Sequence, residues 1–495
     1  MQNRKNIKIY KIMTNKEFRE MGHLFVDWMA DYLENVAEYP VKAQVAPREI
    51  FNQFEDNMPT NGEDMGVIFK DFQEKILKGV THWQSPNFYA YFPANSSYAS
   101  VLAEMLTATL GAQGMLWETA PAATELEEKV MEWLKNAMNL PKNWHGVIQD
   151  TASSATLCAL LSAREKYTDF AINNTGFEGF TDFRVYASSQ THSSIEKGVK
   201  IAGFGKENLV YIPVKEDFSI DENALIKAIE QDLKVGKKPL CVVATVGTTS
   251  STAIDNIRKI GEICQKYGIW YHVDAAYAGS VAILPEFSFM FDGLELADSY
   301  VFNPHKWLMV NFDCSAYFVK DKGTLIRTFE ILPEYLKTAT DSLANGADTV
   351  VVNNYRDWGI PLGRRFRALK LWFVLRNYGL TGLQAKIRND VNLAKWLENE
   401  VLQNADFELL APVNLNLVCF RYVGNNNLDK KLSEEELNEI NAKILQNLNK
   451  EGKIYLTHTK LNGKYTLRMV LGQTNLTHVH VAQAWELIKT ESNIR

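Results

Sequence analysis

A lysine set among apolar neighbours is the first group to weigh for chemistry. Lys306 stands in Asn303-Pro304-His305-Lys306-Trp307, behind the β-prone run Ser299–Phe302 and ahead of Leu308-Met309-Val310. Burying an ammonium is costly unless it is paired or neutralised. The amine therefore either snorkels to the surface or is a low-pKa nucleophile able to form a Schiff base. Asp274 sharpens the second alternative. It ends the run Tyr271-His272-Val273 and opens Ala275-Ala276-Tyr277-Ala278-Gly279. Alone, an aspartate at a buried strand end caps the next helix. With a downstream buried lysine, it matches the two ends of one pyridoxal phosphate (PLP) ring. The amine takes the aldehyde carbon, and the carboxylate keeps the pyridine nitrogen protonated so that the ring accepts electrons.

Three further segments fit around such a ring. Thr151-Ala152-Ser153 precedes a helical run over 155–166, where backbone amides and hydroxyls can receive a phosphate, although Ser and Thr there also serve as ordinary caps. His192, in Ser189-Gln190-Thr191-His192-Ser193-Ser194, can stack on the ring and supply a proton, or be a satisfied loop histidine. Thr249, in Gly247-Thr248-Thr249, can hydrogen-bond the ring's edge or simply belong to a turn.

Positioning these groups requires a sheet. From about residue 86, short β-rich runs alternate with helical stretches: 146–149, 184–187, 209–212, 240–244, 269–273, 299–302 and 315–319. This alternation predicts an α/β fold with a mainly parallel seven-stranded sheet covered on both faces. Ligands bind such sheets at the carboxyl ends of the strands, where the polar residues above fall. Before it, Thr14-Asn15-Lys16-Glu17 predicts a capping box opening an amphipathic helix. After Trp358 helical periodicity returns, with a break at Gly379, then strands over 415–420 and 465–470 and a last helix from about His478. The expected units are a helical segment over 1–85, a large α/β domain over 86–375 and a small α+β domain over 376–495. Arg468, in the second of those late strands, is within reach of the site, and a structural ion pair is its expected role.

Composition narrows the function classes. The 495 residues carry 53 Lys+Arg against 59 Asp+Glu, a net charge of −6, with 46% hydrophobic and 23% charged residues. That is a soluble globular composition, and the acidic balance argues against nucleic-acid binding. Cys158, Cys241, Cys264, Cys314 and Cys419 form no CxxC pair, so no metal site or disulfide framework is legible, and buried thiols in a cytoplasmic setting are expected. No run of about 18 apolar residues predicts a membrane span.

The chain resembles the PLP-dependent group II decarboxylases, and among them the aromatic L-amino acid decarboxylases. The resemblance rests on His82-Trp83-Gln84-Ser85-Pro86, Tyr91-Phe92-Pro93, Pro121-Ala122-Ala123-Thr124-Glu125-Leu126-Glu127, the segment from His272 to Gly279, Asn303-Pro304-His305-Lys306-Trp307 and Ile360-Pro361-Leu362-Gly363-Arg364-Arg365-Phe366-Arg367. It implies the type I, aspartate aminotransferase-like fold and an obligate homodimer with N-terminal helices wrapped around the partner. By position it implies Lys306 as the Schiff-base lysine, Asp274 as the pyridinium partner, and Ala152, Ser153, Thr249, Asn303 and His305 as cofactor contacts. His192 would lie over the ring. Tyr335, in Leu332-Pro333-Glu334-Tyr335, would be the tyrosine of a catalytic loop within a lid over 320–354. Tyr91, Phe92, Ala94, Gln113, Met115 and Gly363 would line the side-chain pocket together with His192. Ala94 replaces a common threonine there, Met115 a common phenylalanine and Gln113 an apolar residue, while Gly363 leaves room for an indole. The implied reaction is decarboxylation of an aromatic L-amino acid to its arylalkylamine; tryptophan, 5-hydroxytryptophan, tyrosine, phenylalanine and dihydroxyphenylalanine all fit. The alternatives are an aromatic aldehyde synthase, in which the loop tyrosine becomes Phe or the stacking histidine Asn, and a non-catalytic protein on the same fold.

Overall fold

The computed structural model describes residues 13–331, 352–424 and 432–493. Tyr335 and most of the expected lid lie outside the described residues.

All seven predicted runs form strands of one sheet: β1 (His145–Gln149), β2 (Phe183–Ser188), β3 (Leu209–Ile212), β4 (Lys238–Thr245), β5 (Trp270–Asp274), β6 (Ser299–Phe302) and β7 (Ser315–Val319). Their order is β1-β7-β6-β5-β4-β2-β3. The pairs from β6 through β3 are parallel, whereas β7 runs antiparallel to both β6 and β1. The reversal at β7 has a local cause. A parallel return needs a long crossover, usually a helix, and residues 303–314 carry only the one-turn helix Pro304–Trp307.

The central strands are buried on both faces, which is why they are apolar runs rather than alternating ones. Cys241 and Val243 of β4 pack with Leu157, Leu160, Ile195 and Val199 from helices Ala152–Tyr167 and Ser194–Ile201. Val242 and Ala244 point the other way, to Leu225, Ile229, Ile257 and Ile260 from helices Glu222–Lys234 and Ile257–Tyr267. Burial at about 25 cal/mol per Å² of apolar surface on two faces makes this sheet a rigid platform.

A second, antiparallel sheet has the order β10-β11-β9-β8, with β8 Phe407–Leu409, β9 Leu417–Tyr422, β10 Thr457–Leu461 and β11 Lys464–Val470. β9 and β11 lie within two residues of expectation. β8 is three residues long, and β10 reads Thr-His-Thr-Lys-Leu, so neither shows an apolar run. The helix Arg367–Gln403 links the two regions and breaks at Gly379 (φ 62°, ψ 170°), the predicted position. The N-terminal helix Asn15–Glu34 opens with the predicted Thr14 capping box, and none of its residues is buried. All five cysteines are buried and free. Among the described residues no helix is long and apolar enough to cross a membrane.

Candidate active site

Asp274 is the last residue of β5, and its neighbours in register are Thr245 of β4 and Val301 of β6. Its side chain is buried, and Oδ1 accepts the Ala276 N–H at 2.9 Å. The turn that follows, Ala278–Ile283, lies directly against β6. A Cβ on Gly279 would overlap Phe302 Cβ and the Tyr300 hydroxyl, so the close approach requires glycine there.

Lys306 sits in the one-turn helix that leaves β6, with Pro304 at its first position. Its Nζ lies 5.7 Å from the centroid of the Phe92 ring. Burial lowers the pKa of this amine, and the negative charge of Asp274 opposes part of that effect. Among the described residues the two make no ion pair with each other, although each feels the other's field. A buried acid and an amine whose charge burial disfavours therefore lie at neighbouring strand ends, each within the other's field. The Thr245 hydroxyl, beside Asp274 in register, is buried and without a partner. Orphaned polar groups of this kind are rare in finished interiors, and they fit a site built to receive a polar, flat ring.

His192 stands in the loop after β2. Its Nδ1 accepts the Ser194 N–H at 3.2 Å and lies 2.8 Å from the Ser194 hydroxyl. A backbone N–H can only donate, so Nδ1 is the acceptor and the neutral ring carries its proton on Nε2. Burial lowers the imidazole pKa; Asp274 raises it and Lys306 lowers it further. Both charges thus act on His192.

A phosphate would meet the start of the helix Ala152–Tyr167. Thr151 caps that helix, its Oγ1 accepting the Ser154 N–H at 3.5 Å, and the first-turn amides of Ala152 and Ser153 have no partner within the helix. Ala152 packs in the same cluster as Val301 of β6, which brings the helix start beside the strand end leading to Asn303. Asn303 Oδ1 accepts the Ser315 hydroxyl at 2.7 Å, leaving its amide N–H groups to donate. His305 is buried with Nδ1 accepting the Cys314 N–H at 2.9 Å. Burial, followed by the charge of Lys306, pushes its pKa down to about 3, so it is a neutral Nε2–H donor. Thr249 is exposed in the loop after β4, its carbonyl accepting from Arg468.

Sequence reasoning missed an aromatic wall. Phe92 stacks on Tyr277 (3.7 Å, 10°), and Tyr277 stacks on Trp307 (4.9 Å, 10°). The Asn416 amide donates to the Tyr277 hydroxyl, and Trp307 Nε1 donates to the buried Asp390 at 2.8 Å. Tyr277 lies three residues after Asp274, which is the only sequence signal of its place. The expected pocket residues fall in two groups. Phe92 lies beside Lys306 Nζ, with Tyr91 and Ala94 next to it in the chain. Tyr91 stacks beside Trp83 (5.7 Å), and the Ala94 carbonyl accepts from Gln84. Gln113 and Gly363 lie together: Gln113 Oε1 accepts the Arg364 N–H at 2.6 Å, and its Nε2 is 3.0 Å from where a Gly363 Cβ would be. Met115 joins that side through its carbonyl, which accepts the Arg356 N–H. Among the described residues no hydrogen bond or ring contact joins the two groups.

Arg468 corrects an expectation. Among the described residues it has no ion pair; its donors go to the carbonyls of Thr249, Ser250 and Ala90 and to the Thr457 hydroxyl. A strand position alone does not reveal such a partner set.

An amine and a carboxylate at neighbouring strand ends of this mainly parallel sheet, with a helix start and Asn303 beside them, define a PLP-dependent enzyme of the aspartate aminotransferase-like fold. A sequence model described as the pyridoxal-dependent decarboxylase conserved domain matches residues 47–423. The chain is 41% identical to phenylacetaldehyde synthase of Petunia hybrida, covering 98% of this chain and 96% of that protein. It is 42% identical to tyrosine decarboxylase 4 of Petroselinum crispum, covering 97% and 94%. Its fold superposes on a solved structure of Oryza sativa TDC with PLP and tryptamine with a TM-score of 0.93, at 36% identity and covering 98% and 99%. This chain belongs to the pyridoxal-dependent decarboxylase family.

Proposed function

We propose that this protein decarboxylates an aromatic L-amino acid to the corresponding arylalkylamine and carbon dioxide. The observation that carries this reading is Phe92, whose ring lies under Lys306 Nζ and on top of the Tyr277–Trp307 stack. Flat aromatic surface beside the reacting amine suits an aromatic side chain, for which stacked rings contribute about 0.5–1.5 kcal/mol per pair beyond burial.

Lys306 would hold the cofactor covalently, Asp274 would hold a proton at the ring nitrogen, and Ala152, Ser153, Asn303 and His305 would donate to the phosphate. PLP, once bound, supplies an electron sink for the pair released with carbon dioxide. His192, neutral with its proton on Nε2, would lie over the ring and help orient the groups that return a proton to the substrate's Cα. Tyr335, in the expected lid, is its proposed partner in that step. The Phe92 wall excludes water from the reacting face.

A second copy of the chain is the proposed partner. Exposed Phe18, Leu24 and Val26 on the helix Asn15–Glu34, and Tyr98, Leu102, Leu106 and Leu110 on the helix Tyr98–Leu110, form apolar faces suited to an interface. Light scattering should give twice the chain mass. The five free buried thiols support a reducing, cytoplasmic setting. The limits 1–85, 86–375 and 376–495 remain the proposed domains.

An aldehyde synthase is the second reading, favoured by the similarity to phenylacetaldehyde synthase. Retention of both His192 and Tyr335 favours decarboxylation without oxidation. The test is to measure amine, carbon dioxide, aldehyde and hydrogen peroxide for tryptophan, 5-hydroxytryptophan, tyrosine, phenylalanine, dihydroxyphenylalanine and glutamate. Amine and carbon dioxide in equal amounts support the first reading. Aldehyde with peroxide supports the second, and turnover of glutamate alone overturns both.

A further inference from the structure

Beneath the candidate site, one face of β5 carries polar groups through an otherwise apolar interior. Side chains two apart on a strand share a face, so Trp270, His272 and Asp274 point the same way. His272 is fully buried, as are the two hydroxyl residues it meets, Thr156 and Ser299. Its Nδ1 lies 2.9 Å from the Ser299 hydroxyl and its Nε2 3.3 Å from the Thr156 hydroxyl. Trp270 Nε1 donates to the same Ser299 hydroxyl at 3.1 Å. Burial holds the imidazole pKa down to about 4 against the raising effect of Asp274, so the ring is neutral and acts through its hydrogen bonds rather than through a charge.

The partners of His272 belong to the elements that frame the site. Thr156 lies one turn beyond Ala152 in the helix Ala152–Tyr167, whose first-turn amides would receive the phosphate. Ser299 opens β6 and pairs in register with His272, and that strand leads to Asn303 and Lys306. His272 itself precedes Asp274 by two residues. Among the described residues no other hydrogen bond joins that helix to β5 or β6. The remaining contact is apolar, with Ala155 and Ala159 of the helix packed among Val301 and Tyr317 of the sheet. Apolar packing presses the helix onto the sheet but is non-directional, so it sets the position along the strands poorly. A directed bond from an imidazole fixed on β5 supplies that position.

We infer that His272 is a positioning residue: its imidazole pins the phosphate helix to β5 and β6 and so sets the spacing between the two ends of the bound cofactor. The assignment rests on the PLP reading of the site and gives His272 no contact with cofactor or substrate.

A ligand held at both ends reports that spacing, whereas one held at the ring end alone does not. PLP engages both ends; pyridoxal lacks the phosphate and engages only the Lys306 and Asp274 end. His272→Phe keeps a flat ring and removes both hydrogen bonds. Thr156→Val keeps the shape of the helix side chain and removes its hydroxyl. Full-chain variants are stripped of cofactor, checked for fold by circular dichroism and titrated with each ligand by visible absorbance. In His272→Phe the affinity for PLP should fall at least fivefold and that for pyridoxal less than twofold. Thr156→Val should change the PLP-to-pyridoxal ratio more than twofold in the same direction, and the double variant should bind PLP within threefold of His272→Phe. A smaller PLP loss in His272→Phe, or an equal loss for both ligands, overturns the inference. So does a double variant weaker by more than threefold, because the two residues would then act independently. Where His272→Phe fails to fold, a ratio unchanged within twofold in Thr156→Val overturns the inference, as does failure of both variants to fold. A parent protein that binds neither ligand sinks the cofactor reading instead.

Discussion

Replacing Asp274 by asparagine separates the charge of the buried carboxylate from its shape. The amide oxygen of asparagine can still accept the Ala276 N–H that Asp274 Oδ1 accepts at 2.9 Å, so β5 and the turn after it keep their geometry. What disappears is the negative charge at a site only 4% exposed. In the loaded enzyme that charge would make a charge-assisted hydrogen bond to the protonated ring nitrogen, worth about 1.5–3 kcal/mol. It would also hold the positive ring in place through a medium of effective dielectric near 20, where a pair at twice ion-pair distance gains roughly 2 kcal/mol. These overlap, and a combined loss of about 3 kcal/mol is roughly 10²-fold in rate. Asp274→Asn should therefore fold with an unchanged melting midpoint and lose about that factor in kcat/KM. The Lys306 amine should titrate lower still, because Asp274 is the group that raises it. The assays are carbon dioxide release with the aromatic substrates and pH-dependent amine labelling of the cofactor-free protein. A folded variant within threefold of the parent rate would refute the assignment of Asp274 to the ring nitrogen.

The Lys306→Ala variant should abolish the yellow colour of the loaded protein and the covalent label fixed by borohydride, while leaving the fold intact by circular dichroism. His305 takes up its proton only near pH 3 when folded, against about 6.5 in an unfolded chain. The unfolded state thus binds more protons below pH 6.5, and this contribution to stability, fully present above 6.5, is lost as pH falls toward 3. In His305→Gln the decline between pH 6.5 and 4.5 should be shallower by about 2 kcal/mol, from roughly 1.4 kcal/mol per pH unit, read by denaturant unfolding. His272, which titrates near 4 in the fold, keeps a decline of its own in the same window. Trp307→Phe removes the N–H donated to the buried Asp390 and should cost about 2 kcal/mol, the worth of a hydrogen bond to a charged acceptor. A melting midpoint equal to the parent's would refute that contact.

Much of the site was legible because its parts lie at chain positions that local rules mark. Lys306 and Asp274 each follow a buried β run, Thr151 begins a helix, and Gly379 breaks one. The pocket was legible only as single residues. Gln113 meets Arg364 across 251 positions of chain, and nothing local to either segment reveals that contact. β10 was invisible because its exposed strand alternates histidine and lysine with threonine.

Amino-acid order alone determined which chemistry is available: one amine and one acid at strand ends, and a helix start able to take a phosphate. Tertiary packing decided how those groups meet. It reversed β7, stacked Phe92 on the distant Tyr277, and gave Arg468 carbonyl partners in place of the expected ion pair. The reason is range. Strand and helix signals follow from neighbours a few residues apart, whereas register, ring contacts and the partners of a buried cation depend on which distant surfaces close over one another.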